Sequence, residues 1–194
     1  MPLSPEFEEF YQSWLRKADE YSTNEIRECF DKFFTLFVIY NRLYAEATFV
    51  LARKNLINIS RRTSFPDSTA AKTYVLQYIT SNHLIQRLEN QDSVLSAIQI
   101  IKNLIKQERF HIKLDMVTGN AQREKDLELF NSLNSNSKNR RAQAILDFLY
   151  SIRCNMFHAH KGFHRLQLDL LIPSIVILKE IITILHSKLS QDHT

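Results

Sequence analysis

A chain of 194 residues with 44% hydrophobic and 24% charged side chains has material for one well-buried core and an ordinary globular composition, so a single domain spanning 1–194 is expected. Two glycines and four prolines leave almost nothing for the hairpin turns of a sheet protein, which points to an all-α fold, and Gly119 and Gly162 alone cannot write a P-loop or a dinucleotide fingerprint, which excludes P-loop and Rossmann enzymes. The net charge of +4 is too mild to single out a polyanionic partner by itself.

In chain order, the first helix is predicted from about Pro5 to Asp19, with Phe7, Phe10, Tyr11 and Trp14 at three-to-four spacing as a core-facing aromatic stripe. A long second helix opens after the capping segment "STNE" and carries Ile26, Phe30, Phe33, Phe37, Tyr40 and Tyr44 on one side, as the central element of a bundle would. Asn41 and Tyr44 on this helix read as a core polar residue and a core aromatic. "ISRRTSFPDST" reads as a loop, after which Asp67 or Ser68 can cap a helix running to about Thr80. Another helix, from about Ser93 to Glu108, is marked by Val94, Ile98, Ile101 and Ile105. From about 111 to 139 the pattern weakens, as in a variable insert: "HIKLDMVTGNAQ" is loop or irregular, "REKDLELFNSL" a short helix and "NSNSKN" a polar loop. "RRAQAILDFLYSIRCNMF" then places Ile145, Leu149, Ile152 and Met156 in one stripe. The last helix, about Leu166 to Leu189, is apolar nearly all round, which asks for cover from a partner, and Pro173 should kink it unless it falls in the first turn.

Cys29 and Cys154 are far apart and form no CxxC, so neither a disulfide framework nor a zinc ribbon is indicated, and a reducing cytoplasm is the expected location. The acidic start "MPLSPEFEEFYQ" is unlike a secretory signal, and "LLIPSIVIL" is much shorter than the roughly 20 residues of a membrane span, so no membrane association is expected. Between Lys138 and Arg165 stand six Lys or Arg against one acid, Asp147, which concentrates the positive charge of the whole chain in one window. A second basic cluster, Arg53, Lys54, Arg61 and Arg62, follows the second helix. Such clusters are as often solvated faces as polyanion sites.

Within the basic window, "RCNMFHAHK" resembles the R-x4-H motif of the HEPN superfamily. The likeness extends to "FFTLFVIYNRLYAE", similar to the "F..LW..FNALY" helix of a bacterial HEPN-like group that also carries "RCNxFHGxK", and to the closing helix "LDLLIPSIVILKEIITIL"; together these cover about half of the chain. The resemblance implies an up-and-down helical bundle that dimerises through its motif helices and, in active members, cleaves RNA without a metal or other cofactor. Arg153 and His158 would then be the catalytic pair, with Asn155, His160 and Lys161 supporting them and Arg140, Arg141 and Arg165 holding the RNA strand. A non-catalytic HEPN module, serving as a binding or dimerisation partner of another protein such as a nucleotidyltransferase, is the alternative. Ala159 and His160 replace the Gly that commonly follows the motif His, Cys154 replaces the polar residue often found after the Arg, and position 160 lacks the tyrosine of the R-x4-H-x-Y toxin subgroup.

The chemistry of these residue types suits that role. Metal-free RNA cleavage needs a group to take the 2′-hydroxyl proton, and histidine, with an ordinary pKa near about 6.5, exchanges protons at neutral pH. The planar guanidinium fork matches phosphate oxygens. On an unbroken helix, however, Arg153 and His158 would point about 140° apart. Either the helix ends between them or the site is assembled from more than one chain or element. Both residues could instead be structural, the Arg bonding carbonyls at a helix end and the His answering the helix dipole. His158, His160 and His164 beside Cys154 are ligand-type side chains, but their spacing does not meet the common zinc patterns, and no metal is expected.

Overall fold

The computed structural model describes residues 3–59, 65–115, 117–158 and 165–192, without the side chains of 157 and 158. The described residues form an all-α helical bundle. Helix α1 (Pro5–Glu20) starts where sequence rules place it: Pro5 sits at the first helical position and the Ser4 hydroxyl accepts the Phe7 N–H at 3.2 Å. Helix α2 (Ile26–Arg53) begins differently from the expectation. Its N-cap, Glu25, makes no side-chain cap, and Glu28 instead reaches back to accept the Ser22 N–H at 2.6 Å. The "STNE" segment therefore shapes the turn, which a first-turn carboxylate ties back to the helix without capping it.

The predicted helix ending near Thr80 is present in three pieces: α3 (Asp67–Thr69), a π-helical turn over Ala70–Tyr74 and α4 (Val75–Ile79). Ala70 and Ala71, both without exposed surface, let this segment lie close against α2, where the Tyr40 hydroxyl donates to the Ala71 carbonyl. Thr80 then turns the chain with φ +73°, and its hydroxyl accepts the His83 N–H at 3.4 Å to open α5 (Ser81–Glu89), a helix the sequence pattern did not mark. Helix α6 (Asp92–Lys106) follows. Residues 111–115 and 117–122 are irregular, with one antiparallel bridge between Leu114 and Ala121, and α7 (Arg123–Leu133) coincides with "REKDLELFNSL". Helix α8 spans Lys138–His158, and a 3₁₀ turn over Arg165–Gln167 leads into α9 (Leu168–Asp192).

The centre of the bundle is the seam of α2 with α9, with α6 on the far side of α9 and α1 along α2. Phe33, Leu36, Ile39 and Leu43 of α2 face this core, as do Leu178, Ile181, Ile182 and Leu185 of α9, all without exposed surface. This corrects one expectation: the apolar circumference of α9 is covered by α2 and α6 of the same chain, and among its described residues only Ile172 is a substantially exposed large hydrophobic. Pro173 is buried in the second turn, not the first, and the neighbouring Ser174 hydroxyl donates to the Leu170 carbonyl at 2.7 Å. Asn41, expected in the core, is exposed, because it lies on the side of α2 away from the buried stripe. Among the described residues no helix is long and apolar enough to cross a membrane.

Candidate functional site

Helix α8 has two working sides. One buries Ile145, Leu149 and Ile152, the stripe read from the sequence, with Met156 partly buried at its end. The other carries Arg140, Asp147, Ser151, Cys154 and Asn155 along a groove of about 600 Å³. Across the groove stand Lys113 and Lys125, and Lys72 enters from the π-helical turn. Four cations against Asp147 and Glu128 give the groove a positive balance, of the kind that attracts phosphates.

Asp147, the single acid of the basic window, organises the floor. Lys72 Nζ lies 3.1 Å from its Oδ1, and Lys113 Nζ bonds its Oδ2 while also donating to the Ser151 hydroxyl at 2.8 Å. Burial alone would raise the Asp147 pKa, but the bonds and charges of Lys113 and Lys72 outweigh it and hold the carboxyl below its ordinary value. Asp147 thereby fixes two ammonium groups that come from segments 75 and 34 residues away.

A second polar assembly lies at the junction of α2, α3 and α8. Tyr44 and Tyr150 both donate to the carboxylate of Asp67, the latter at 3.0 Å to Oδ2. Burial first, then the adjacent Asp67, pushes the Tyr150 hydroxyl up to about 12 and the Tyr44 hydroxyl higher still, so both are fixed as donors. Lys72 Nζ lies over the Tyr150 ring at 5.4 Å, and the Arg153 guanidinium lies 5.7 Å from the centroid of the same ring and 5.9 Å from that of Phe37. The upstream helix that carries the resemblance is thus linked to the motif: Tyr44 reaches Asp67, Asp67 holds Tyr150, and Tyr150 supports Arg153.

Asn155 turns the other way. Its Nδ2 donates to the Ile112 carbonyl at 2.9 Å and docks residues 110–113 onto α8. That segment is held from its far side by Asp126, which has no exposed surface and whose Oδ1 accepts the N–H groups of Ile112 and Lys113 at 3.1 and 2.8 Å. His111 Nδ1 lies 3.5 Å from the other oxygen, Oδ2. His111 and Asn155 share the lining of a small cleft with Phe30, Phe110 and Met156.

The structure therefore separates the sequence-predicted residues. The helix continues from Arg153 to position 158, so the option that it ends between the two does not hold, and Arg153 packs toward α2 while Asn155 packs toward the 110–113 segment. The His158 side chain, His160 and Lys161 lie outside the described residues, as do His164, Arg61 and Arg62. Arg140 lines the groove and is exposed, and Arg165 is exposed in the 3₁₀ turn. Arg141 points elsewhere: its Nη1 pairs with Glu89 at 2.6 Å against a second cavity, between α5, α6 and α8. In the second basic cluster, Arg53 pairs with Glu46 at 2.9 Å and Lys54 with Asp192 at 3.2 Å. Sequence reading missed Lys72, Lys113 and Asp126, whose only early signal was that Asp147 stands alone among cations, and it took Asp67 for a helix cap, whereas Pro66 holds the cap position and the Asp67 carboxylate accepts from two tyrosines. Among the described residues no three His, Cys, Asp or Glu side chains are grouped as metal ligands.

Comparison with models of known protein families, with curated proteins and with solved structures finds no match.

Proposed function

We propose that this chain is a metal-independent endoribonuclease of the HEPN type that cleaves RNA with Arg153 and His158 at a cleft between two copies of the chain. The observation that carries this reading is the continuity of α8 through the motif. An uninterrupted helix separates positions 153 and 158 by about 140°, so a single copy is poorly placed to bring both groups to one phosphate, and a two-fold axis beside the end of α8 supplies the missing half. The cationic groove along the same helix is the path for the strand, with Arg140, Lys72, Lys113 and Lys125 toward its phosphates. In the cleavage, the guanidinium stabilises charge gathering on the phosphate and the imidazole exchanges protons with the reacting oxygens.

The test is cleavage of single-stranded RNA in EDTA, leaving 2′,3′-cyclic phosphate ends. His158→Ala and Arg153→Ala should each lower the rate by about 10²–10⁴-fold. Loss of the Arg153 contacts with two rings should cost only about 0.5–1 kcal/mol of stability. An intact dimer that cleaves no RNA would favour the second reading, a non-catalytic module that binds another protein, for example a nucleotidyltransferase. That reading draws on the engagement of Arg153 with Phe37 and Tyr150, which also suits a structural guanidinium.

A further inference from the structure

Every proton-transfer role in the reading above falls on the His158 position, yet cleavage by the 2′-oxygen moves two protons, one taken and one given. The 2′-hydroxyl loses one as its oxygen attacks phosphorus, and the 5′-oxygen gains one as its bond to phosphorus breaks, giving a 2′,3′-cyclic phosphate and a free 5′-hydroxyl. A second imidazole stands beside the motif helix. His111 Nδ1 is buried, although 39% of the side chain is exposed, so the exposed edge of the ring is the one that carries Nε2. Asp126 Oδ2 is 3.5 Å from Nδ1, within ion-pair reach, although no hydrogen bond joins them here and neither atom has a hydrogen-bond partner elsewhere. Asp126 is itself fixed, because its other oxygen accepts two backbone N–H groups and its surface is fully covered. A carboxylate locked this close to one ring nitrogen favours an N–H there, with the bond closing by a small approach when the ring is charged, and leaves Nε2 to work on the cleft side. The Asn155 bond to Ile112, the residue after His111, ties this ring to the motif helix.

We propose that His111 is the proton donor to the departing 5′-oxygen, with Asp126 as its positioning residue. Resting on the endoribonuclease reading, this assigns the second proton: with both ring nitrogens protonated, Nδ1–H is directed at Asp126 and Nε2–H passes to the leaving oxygen, while the 2′-hydroxyl proton goes to His158. The polar groups that share the cleft, Asn155 and Gln167, carry no charge.

The experiment uses the full chain, a mixed-sequence single-stranded RNA to map a cleaved bond, and the same RNA with sulfur in place of the 5′-bridging oxygen at that bond. A thiolate leaves without a proton. His111→Ala and His111→Gln should cleave the ordinary RNA about 10²-fold or more slowly yet cleave the sulfur-bridged RNA near the wild-type rate, whereas His158→Ala should be slow on both. Asp126→Asn should show the His111 pattern at about tenfold. Full activity of both His111 variants on ordinary RNA would overturn the proposal and leave the endoribonuclease reading standing. So would equal losses on the two substrates in variants that keep the wild-type melting temperature. Wild-type protein inert on both RNAs overturns the reading and this assignment with it. If His111→Ala does not fold, His111→Gln, which keeps a polar side chain near Asp126, decides.

Discussion

The seam between α2 and α9 and the groove along α8 are built from opposite materials. The seam is closed by Leu36, Ile39 and Leu43 against Leu178, Ile181 and Leu185, with no exposed surface and no charge. The groove is closed by Asp147 with Lys72 and Lys113, and the junction beside it by Asp67 with Tyr44 and Tyr150, pairs that bring distant segments to one helix. The first region draws its stability from removing apolar area from water, which is indifferent to pH and weakly sensitive to salt. The second holds a specific geometry with charges whose net worth is small and condition-dependent. The seam therefore sets how stable the chain is, and the groove sets what the chain can bind.

The sharpest break of this contrast would come from the seam. Leu178→Ala or Ile181→Ala should cost about 2–5 kcal/mol in urea unfolding, with the same loss at low and high salt and across neutral pH. A smaller loss is expected from Asp147→Asn, about 1.5–3 kcal/mol, because it leaves two half-buried ammonium groups short of a counter-charge. Its pH dependence has a definite sign. The folded-state pKa of Asp147 is depressed, so its contribution is complete above the ordinary carboxyl value of about 4 and is lost as pH falls through the lower folded value. Unfolding midpoints of the wild type and Asp147→Asn should therefore converge on acidification, while the gap to Ile181→Ala persists.

Smaller again, Tyr44→Phe and Tyr150→Phe should each cost about 1 kcal/mol. Because the two phenols share one carboxylate, the double variant should depart from the sum by about 0.5 kcal/mol or more; strict additivity would mean that Asp67 does not couple α2 to α8. The smallest effect separates two adjacent arginines. Arg140→Ala should lower the slope of log affinity for RNA against log salt by about one and leave stability within about 0.5 kcal/mol. Arg141→Ala should leave that slope unchanged and cost about 0.2–1 kcal/mol through its pair with Glu89. Equal slopes for the two variants would show that the groove is not the strand's path.

The sequence was most informative where structure is local. The helices containing Phe7 and Tyr11, Phe33 and Tyr40, and Ile145 and Ile152 follow from apolar spacing, since each buries one continuous stripe. Helix α5 escaped because it is short and its start depends on Thr80, a β-branched residue at positive φ where a turn residue would be expected. Asn41 was misplaced because it was read as a core residue, although its angular position on α2 lies outside the stripe of Phe33, Leu36, Tyr40 and Leu43. The motif window drew attention to α8, but its groove is made by Lys72, Lys113 and Asp147, whose separation in sequence leaves no periodic trace. Arg140 and Arg141 read alike as neighbours in a basic run; the helix turns them toward different surfaces.

The π-helical turn at Ala70–Tyr74 has a consequence for how this protein tolerates changes of length. A π turn spreads its hydrogen bonds over one more residue than an α turn, so it acts as a one-residue insertion absorbed without a loop. Removing one residue from this segment would return it to α-helix with the pieces on either side near their present phase, whereas the same deletion inside a regular α-helix rotates everything beyond the cut by about 100°. Asp67 on the near side and the buried Val75 and Leu76 on the far side would then still face their present neighbours. The segment is a store of one spare residue between two pieces of helix, and a single codon deletion there should be less damaging to the groove than the same deletion inside α2 or α8.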